Sequence, residues 1–471
     1  NTTLGINGLH KATVQKVNMD NNQRSNIGYL GRASYSYDDR YFFTGSYRRD
    51  GASVFGVNQK WGDFFAFGGA WRLSSEKFMS SISYLDDLKL KLSWGKNGNQ
   101  GLDPYGTLST INNGASGGVR YEFGGSDIIY GLNQKALGNA NLGWETTESW
   151  NTGFESAWLG SRLFVDLDLY FSKTTDQIFT RDIPVMTGFK NMKSSMGQVN
   201  NRGVELTIRS VNIDTQDWYW TTNLTFWLNR NKLIHLYGED LDGDGREDDD
   251  ISNSRFIGKP LGAIYGYLQD GIVQETDVEY MKANGATPGI PKYKDMDNDG
   301  VITSADRIIL GYSTPNFKLN MSNTITYKNW DLYFMLTGTF GGGGYYQKSN
   351  KGAYLTNGSG RFNTNGIYIP WWTPENKSNE YPAATFNDDG GRFLGLQNRA
   401  FVRLQDVTLS YTFREPWVQK VNIQNLKVFF TAKNLFTITK WQGGDPEVGV
   451  TVSENTYPVL TSFSLGANIS F

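Results

Sequence analysis

The sequence predicts an all-β protein, a transmembrane antiparallel β-barrel with long extracellular loops. Apolar and polar residues alternate along many segments of about ten residues, which is the period of a strand whose two faces meet different surroundings. The chain of 471 residues is rich in glycine and aromatic residues, with 54 Gly, 28 Phe, 26 Tyr and 14 Trp. It contains no run near the roughly 18 to 20 apolar residues that a spanning helix requires, which leaves strands to cross a membrane.

Segment 161–173 shows the alternation clearly. One face is apolar and the other is mostly polar: Leu163, Val165, Leu167, Leu169 and Phe171 against Asp166, Asp168, Tyr170 and Ser172. Ten residues at about 3.3 Å each, tilted near 45°, project to about 23 Å, which is close to the apolar height of outer-membrane barrels. A soluble β-sandwich or propeller is the alternative, but its strands are usually about five or six residues long.

Counting back from the final strand, 459–471, assigns a direction to each predicted strand. Descending strands are predicted at 27–37, 62–74, 146–158, 200–212, 262–270, 316–328 and 398–412, and ascending strands at 40–50, 85–97, 161–173, 217–229, 330–340 and 424–434. Alternation requires one further ascending strand between 271 and 315, which gives about 15 strands, whereas single-chain bacterial barrels have an even number. We therefore expect the first strands to be absent from this chain, with residues 1–26 forming the tail of an outward loop.

The predicted connections fall into two classes. Tight polar turns lie at 37–40, 159–161, 214–216 and 328–329, and long segments rich in Gly and Asn lie at 98–143, 174–199, 230–261, 273–315, 341–397 and 435–458. Short periplasmic turns and long extracellular loops are typical of outer-membrane barrels. The final alternating strand ends on Phe471, which resembles the C-terminal signal read by the outer-membrane insertion machinery.

The composition argues against an enzyme and against a nucleic-acid-binding protein. There is no cysteine and there are only 2 histidines, so thiol and imidazole chemistry have few candidates. Both histidines, His10 and His235, lie in predicted loops. Lys and Arg together number 45 against 47 Asp and Glu, a net charge of −2, whereas nucleic-acid binders show a basic excess. We predict neither catalysis nor a nucleic-acid partner.

An acidic loop at 295–306 predicts a metal site. Oxygen ligands at positions one, three, five, nine and twelve, with glycine at position six, follow the spacing of a calcium-binding loop. The residues in those roles are Asp295, Asp297, Asp299, Thr303, Asp306 and Gly300, and Val301 would offer its backbone carbonyl. We predict that the loop binds structural Ca²⁺, because a divalent cation relieves the repulsion among carboxylates. The alternative is a solvated acidic turn without metal.

Two further features are candidate sites. Asp240, Asp242 and Asp244 begin a loop with the same spacing, although Ile251 stands at position twelve, so the alternative is again a solvated acidic loop. In the predicted loop 341–397, Tyr368, Trp371 and Trp372 could contact a substrate, for example by stacking on a sugar. Packing within the loop, or a place in an aromatic girdle, is the alternative for these three residues.

Several phrases resemble those of SusC-like (SusC/RagA-type) TonB-dependent outer-membrane transporters. The resemblance runs from about residue 28 to 471 and is carried by YFFTGSYRRDGAS (41–53), LKLKLSWG (88–95), NLGWE (141–145), NRGVE (201–205), GKPLG (258–262), WTPEN (372–376) and AKNLF (432–436). It implies a barrel of about 22 strands whose lumen is closed by a separate N-terminal plug domain. This chain departs from that pattern, so we expect residues 1–471 to be the C-terminal barrel portion, without the plug and the first strands.

The resemblance also implies a function. Its members are nutrient importers of the bacterial outer membrane that take up oligosaccharides or oligopeptides, driven through TonB and acting with a SusD-like surface lipoprotein. The expected partners are that lipoprotein, TonB through the plug, outer-membrane lipid and the substrate. A passive porin, or a calcium-ordered surface adhesin on the same barrel, is the alternative.

Overall fold

The computed structural model describes residues 22–113, 120–122, 128–130, 132–345, 370–384, 386, 396–414, 423–441, 445–447 and 459–471. The strands are β1 (Asn26–Tyr37), β2 (Tyr41–Ala52), β3 (Trp61–Arg72), β4 (Leu85–Asn99), β5 (Thr110–Asn113), β6 (Arg120–Glu122), β7 (Ile128–Tyr130), β8 (Leu132–Ala136), β9 (Glu145–Trp158), β10 (Leu163–Asp182), β11 (Asn191–Asp214), β12 (Trp218–His235), β13 (Ala263–Tyr267), β14 (Gln269–Ile272), β15 (Pro291–Tyr293), β16 (Arg307–Tyr312), β17 (Phe317–Tyr327), β18 (Trp330–Phe340), β19 (Gly343–Tyr345), β20 (Leu396–Asn398), β21 (Phe401–Phe413), β22 (Asn425–Thr439) and β23 (Ser462–Ser470).

Helices are few in these residues. One α-helix, α1, spans Val278–Asn284, and short 3₁₀ turns span Leu73–Ser75, Lys77–Met79, Val185–Thr187, Ile251–Asn253 and Ser304–Asp306. Across the described ranges, none of the helices has the length and apolar character needed to traverse a bilayer. The prediction of an all-β fold is confirmed.

One large sheet dominates the structure. It has 13 strands in the order β1-β2-β3-β4-β9-β10-β11-β12-β17-β18-β21-β22-β23. Every neighbouring pair is antiparallel and follows chain order, so the sheet is an up-and-down meander. Within the described residues, β1 and β23 lie at the two edges of this sheet, each with one hydrogen-bonded neighbour. The small strands pair in separate two-stranded sheets in the long connections.

The register gives the large sheet one apolar face and one polar face. Cross-strand pairing aligns an apolar row of Leu90, Phe154, Leu167, Leu206, Phe226 and Leu319. The adjacent row, on the other face, is Lys91, Gly153, Asp168, Glu205, Trp227 and Lys318. Because side chains alternate between the faces of a strand, a shift of one residue would exchange these rows. Hydrophobic patterning therefore fixes the register.

The two ends of the sheet differ in their connections. Tight turns join strands at residues 38–40, 159–162, 215–217 and 328–329, and the long connections leave from the opposite end. Aromatic pairs lie beside the tight turns: Tyr41 with Trp71, Tyr84 with Trp158, Trp218 with Tyr327 and Trp330 with Tyr411. Aromatic girdles mark the interfaces of membrane barrels, and their turns are short on the periplasmic side. The long connections accordingly lie on the outward, extracellular side.

The predicted barrel strand at 262–270 is wrong. Residues 263–267 form β13, which pairs with β16 in a separate two-stranded sheet, and β12 pairs directly with β17. The further ascending strand predicted between 271 and 315 is therefore not needed, and the described sheet has 13 strands instead of about 15. A strand of 5 residues is too short to cross the apolar band. Residues 1–21, predicted as part of an outward tail, lie outside the described residues.

The predicted loop at 174–199 is also largely wrong. β10 continues to Asp182 and β11 begins at Asn191, so a hairpin extends the sheet well beyond a membrane-spanning length. The register shifts between Thr174 and Ile178, where a bulge interrupts the ladder. The alternation of apolar residues ends near this point because both faces of the extension leave the membrane. The backbone pairing continues without it.

The most buried apolar residues lie at the outward ends of the strands. One cluster contains Ala52, Val54, Phe55, Leu102 and Leu142, and a second contains Phe179, Val199, Leu233 and Leu236. Within the strands, many apolar side chains are exposed on the protein surface, including Leu92, Leu169 and Phe171. Soluble proteins bury such side chains, whereas a membrane barrel presents them to lipid. The outward clusters hold the long connections in place.

Candidate functional site

The connection from β12 to β17, residues 236–316, is the most structured outward segment and carries both acidic loops. It contains the β13–β16 and β14–β15 pairs and helix α1. The loop at 295–306, called the first acidic loop, lies between β15 and β16. The loop that begins at Asp240, called the second acidic loop, follows β12. We call this connection the outward segment. It places the candidate metal ligands outside the membrane.

The loop at 295–306 has the turn geometry of a cation-binding loop. Asp295 accepts hydrogen bonds from the backbone N–H groups of Asn298 at 2.6 Å and Gly300 at 2.7 Å. The N–H of Asp299 donates to Asp297 at 3.2 Å, and the N–H of Val301 donates to Asp299 at 2.8 Å. One carboxylate oxygen from each of Asp295, Asp297 and Asp299 lies within 4.8 Å of the others. Gly300 has a φ of 88°, which a side chain would disfavour.

Asp306, predicted at position twelve, lies under this loop. It is fully buried and accepts hydrogen bonds from the N–H groups of Met296 and Thr303, each at 2.7 Å. The N–H donors of Thr303 and Met296 outweigh desolvation and lower the pKa of the Asp306 carboxyl. Thr303 begins the 3₁₀ turn Ser304–Asp306 and accepts a hydrogen bond from the Ala305 N–H at 3.1 Å. Asp306 is therefore a charged carboxylate built into the loop.

The carboxylates of this loop repel one another. The N–H of Asp299 lowers the pKa of the Asp297 carboxyl, but desolvation and the carboxylates of Asp299, Asp295 and Asp306 raise it above its ordinary value. A raised carboxyl pKa means that the negative charge at that position is unfavourable. A divalent cation would relieve this repulsion between carboxylates, because a bound cation is often the largest single charge in such a site. The donor set consists of carboxylate, carbonyl and hydroxyl oxygens, which suit a hard cation.

The second acidic loop repeats the same hydrogen-bond pattern. Asp240 accepts from the N–H groups of Gly243 at 2.8 Å and Gly245 at 3.0 Å. Asp242 accepts from the Asp244 N–H at 3.0 Å, and Asp244 accepts from the N–H of the residue two positions later at 2.8 Å. Oxygens of Asp240, Asp242 and Asp244 also lie within 4.8 Å of one another. In each of the two predicted triads, the structure therefore brings the three carboxylates close to one another.

Asp248 takes a place in the second loop that the prediction does not include. Its carboxylate accepts the N–H of Leu241, at position two of the loop, at 2.7 Å. In the first loop, Asp306 accepts the N–H of Met296, which is also at position two. Asp248 stands at position nine, where the calcium-loop spacing also places an oxygen ligand. The prediction names only the three carboxylates before it, because Ile251 at position twelve breaks the pattern.

The two tryptophans of the predicted substrate contact have different surroundings. Trp372 is buried, its Nε1 donates to Gln274 Oε1 at 2.9 Å, and a Cβ added to Gly289 would lie 2.7 Å from its ring. Asn379 Oδ1 accepts the Ile272 N–H at 3.0 Å, so segment 370–384 packs on the outward segment. Trp371 is partly exposed, and within the described residues its Nε1 has no hydrogen-bond partner. Tyr368 lies outside the described residues.

The family of the chain follows from its sequence match together with this fold. Residues 2–435 match the family described as TonB dependent receptor-like, beta-barrel. The chain belongs to this TonB-dependent receptor family. The predicted resemblance to SusC-like receptors is confirmed, and the relatives are transporters and receptors, not enzymes. The protein is therefore an integral β-barrel of the bacterial outer membrane.

Several known members of the TonB-dependent receptor family are similar to this chain. TonB-dependent receptor P3 of Formosa agariphila is 29% identical over 469 residues, which cover 96% of this chain and 46% of the relative. TonB-dependent receptor SusC of Bacteroides thetaiotaomicron is 30% identical over 461 residues, covering 94% and 44%. The structure of the RagAB peptide importer in the open-open state aligns with a TM-score of 0.76 at 23% identity, covering 95% and 47%. The chain spans about half the length of the relatives it matches.

In a TonB-dependent receptor barrel, the polar face of the sheet lines the lumen. Lys91 lies on this face, 2.9 Å from Asp166, 3.1 Å from Asp168 and 3.3 Å from Glu155. Further along the sheet, Lys427 lies 2.8 Å from Asp331. Charged groups of both signs on one face, opposite an apolar face, require water on the first and lipid on the second. The face that lines the lumen is therefore hydrated.

Proposed function

We propose that the complete protein imports oligosaccharides or oligopeptides across the outer membrane in a TonB-dependent manner, together with a SusD-like surface lipoprotein. The observation that carries this proposal is the two-faced sheet of a TonB-dependent receptor barrel, with a charged row inside and an apolar row outside. The similar RagAB structure is that of a peptide importer, which supports a peptide as one substrate class. The structured outward segment offers a surface on which a substrate and a lipoprotein could bind.

Energised opening is preferred over free diffusion on physical grounds. The barrel of about 22 strands that the resemblance implies would be too wide for its own side chains to fill, so we infer that another domain closes its lumen. The relatives are about twice as long as this chain, which leaves room for such a plug in the complete protein. TonB would displace the plug, and the polar wall of the lumen would then let hydrophilic substrates pass.

The experiment that tests this proposal compares uptake in cells with and without TonB. The complete protein is produced in its own host, purified in detergent with everything that binds to it, and analysed by peptide mass spectrometry. We expect plug peptides and a surface lipoprotein to accompany the chain, and uptake of a labelled oligosaccharide or peptide to stop without TonB. Uptake that persists without TonB would support a passive porin, and a barrel without any uptake would support an adhesin.

We also propose that the loop at 295–306 binds Ca²⁺. Asp295, Asp297, Asp299 and Asp306, with the backbone carbonyl of Val301 and the hydroxyl of Thr303, would hold the ion. The clustering of three carboxylates and the raised pKa of Asp297 support this, because both indicate negative charges that repel one another and that a cation would stabilise. Bound Ca²⁺ would offset two of the four negative charges of these carboxylates and order the outward segment; it would supply no reaction chemistry.

A second Ca²⁺ site is proposed at Asp240, Asp242 and Asp244. Its support is the shared hydrogen-bond pattern and the position of Asp248, which accepts the same N–H in this loop as Asp306 does in the first. The loop is anchored to β12, because Glu247 accepts the N–H groups of Leu236 and Gly238, each at 2.7 Å. A cation here would order the start of the outward segment.

A further inference from the structure

We propose that a cleft on the extracellular side, between residues 53–60 and 105–108, binds ligands that combine a carboxylate with apolar side chains, which in chemical class means short peptides. The inference rests on the proposed import function and gives that function a substrate site. The cleft has a volume of about 620 Å³, within the range of about 300 to 1,000 Å³ that is usual for ligand sites. It lies beside the outward turn between β2 and β3.

The floor of the cleft is rigid. Val54 and Phe55 belong to a buried apolar cluster that also includes Leu102 and Leu142. The ring of Phe55 lies 4.8 Å from the ring of Trp144, whose Nε1 donates to the backbone carbonyl of Lys60 at 3.2 Å. A floor held by buried contacts and a hydrogen bond is in place before a ligand arrives, which reduces the entropy lost on binding.

The two walls of the cleft, residues 53–60 and residues 105–108, both pack against the same short segment, residues 138–142. The N–H of Gly56 donates to the carbonyl of Leu142 at 3.0 Å, and a Cβ added to Gly56 would lie 1.7 Å from the Ala140 carbonyl oxygen. On the other wall, the Gly138 N–H donates to Ser109 Oγ at 3.0 Å, and a Cβ added to Gly138 would lie 2.5 Å from the Ser109 nitrogen. These close approaches fix the distance between the walls.

The lining presents apolar side chains that the fold leaves exposed. Val57 is 77% exposed, Leu108 57% and Tyr105 45%, and all three line the cleft. The backbone of Tyr105 has a φ of 64°, which is uncommon for any residue other than glycine. Strained backbone conformations of this kind often occur at binding sites, where the fold holds a side chain in a required place. Apolar ligand groups would therefore find contacts here.

The charge of the cleft is positive. Lys60 is the one charged side chain among the described residues that line it. The nearby acidic residue Asp103 does not line the cleft, and its carboxylate lies 3.9 Å from the ammonium of Lys193. A ligand carboxylate would match Lys60. A neutral oligosaccharide would leave the ammonium unmatched and place hydroxyl groups against Val57 and Leu108, so a peptide is favoured.

The test measures binding to the complete transporter with its co-purifying partner by isothermal titration calorimetry. The probes are N-acetylated tripeptides with leucine or phenylalanine side chains, the same tripeptides with a C-terminal amide, and maltotriose. We expect the free carboxylate to bind about tenfold more tightly than the amide, as one desolvated charge pair can provide. K60M should abolish this difference, and Y105A should weaken both peptides by about tenfold. K190M, at the exposed tip of the β10–β11 hairpin, is the matched control and should leave binding unchanged.

Equal binding of acid and amide by the wild-type protein, or an unchanged preference in K60M, would overturn the proposal. Maltotriose binding that depends on Tyr105 and not on Lys60 would also overturn it in favour of a saccharide site. TonB-dependent uptake measured in parallel separates the two proposals. If K60M and Y105A import peptides normally, the cleft is rejected and import stands, whereas import itself is rejected if the wild-type protein shows no TonB-dependent uptake.

Discussion

Asp306 and Asp248 perform the same task in two acidic loops although they stand at different loop positions. Each accepts the backbone N–H of the second loop residue, Met296 in one case and Leu241 in the other. That hydrogen bond ties the carboxylate to the start of its loop. A carboxylate that accepts backbone N–H groups stays ionised, so it remains available to a cation.

D306N should weaken Ca²⁺ binding at the first loop. Asparagine keeps the shape and one acceptor oxygen but loses the charge, so we expect the affinity to fall about tenfold, equivalent to ~1.4 kcal/mol. Terbium luminescence titration of the complete protein, with competing Ca²⁺, measures this change. D214N, at an exposed periplasmic turn, is the matched control and should bind as the wild type does. An unchanged affinity in D306N would contradict the proposed ligand set.

The variant D248N distinguishes Ca²⁺ binding at the second acidic loop from Ca²⁺ binding at the first. If Asp248 completes the second site, this variant should lose one of two bound Ca²⁺ ions and keep the site at 295–306. Metal analysis of the complete protein after equilibration with Ca²⁺ gives the ratio of metal to protein. D249N, which changes the neighbouring carboxylate, serves as a control for the local charge. A ratio of one in the wild type, unchanged in D248N, would show that the second loop binds no metal.

The sequence predicts only those parts of these sites that follow from the spacing of residues within one loop. Asp295, Asp297 and Asp299 are found because a loop that wraps one cation requires alternating ligands. Asp248 stands at position nine of the same spacing, but its hydrogen bond from the Leu241 N–H depends on how the chain folds back after Gly245, which spacing does not show. The burial of Trp372 is likewise set by Gly289 and Gln274, which are distant in sequence.

At the scale of elements, the outward segment is held from two sides. Segment 370–384 packs on the connection between β14 and β15, where Trp372 contacts Gln274 and Gly289. The β10 extension contacts the start of the second acidic loop through the ion pair of Arg181 with Glu239. W372A should therefore loosen this packing by about 3 kcal/mol, as expected for a buried tryptophan. Faster hydrogen exchange in peptides from β14 and β15 would measure this loss of stability.

W371A is the matched comparison, because Trp371 is partly exposed and adjacent in sequence. We expect it to leave hydrogen exchange unchanged. If Trp371 contacts substrate and does not pack the loop, W371A should weaken substrate binding without loss of packing. Equal loosening by both variants would mean that both tryptophans serve only to pack the loop.

Asp250 makes the contact with the β10 extension dependent on pH. Burial opposes its charge, but hydrogen bonds from Ser252, Asn253 and Tyr237 outweigh burial and lower the pKa of its carboxyl. Arg255 lies 3.1 Å from Asp250, and its guanidinium lies 4.5 Å from the ring centre of Phe179 on β10. The lowered pKa means that the stabilisation is complete above the ordinary carboxyl value of about 3.9 and is lost as the pH falls through the folded-state pKa.

Protection factors for residues 237–255, corrected for the intrinsic pH dependence of exchange, should therefore hold from pH 7 to about pH 4 and fall below it. D250N should show low protection at pH 7 and little further change on acidification. The control D214N should follow the wild-type profile. A wild-type profile that is flat down to about pH 2 would remove Asp250 as the cause.

The elements that the sequence predicts correctly are those whose two faces meet lipid and water. The strand at 161–173 is visible because this environment imposes period two on its residues. The same pattern places β13 in the barrel, because its few residues fit it, yet five residues cannot span the apolar band. The pattern misses the β10–β11 extension for the opposite reason, since this extension pairs as strands in water, where neither face must be apolar.

At the scale of the whole molecule, the membrane determines which substitutions the sheet tolerates. Leu206 belongs to the apolar row, between Leu167 and Phe226, and faces lipid. Thr207 is the next residue along β11, pairs with Asp166 and Thr225, and faces the wet lumen. The two positions share a strand and a depth, and differ only in the side of the wall that they face.

L206R should therefore destabilise the folded barrel by about 2 to 4 kcal/mol, the penalty for arginine on the lipid face near the bilayer midplane. T207R places the same charge in water, near the carboxylate of Asp166, and should change stability by less than about 0.5 kcal/mol. Guanidinium unfolding of the complete protein in lipid vesicles, followed by tryptophan fluorescence, measures both free energies. Equal effects would show that the two faces meet similar surroundings, which would contradict a lipid-facing row and a water-filled lumen together. A large loss in L206R alone would establish, at two adjacent residues, that one face of the sheet meets lipid and the other meets water.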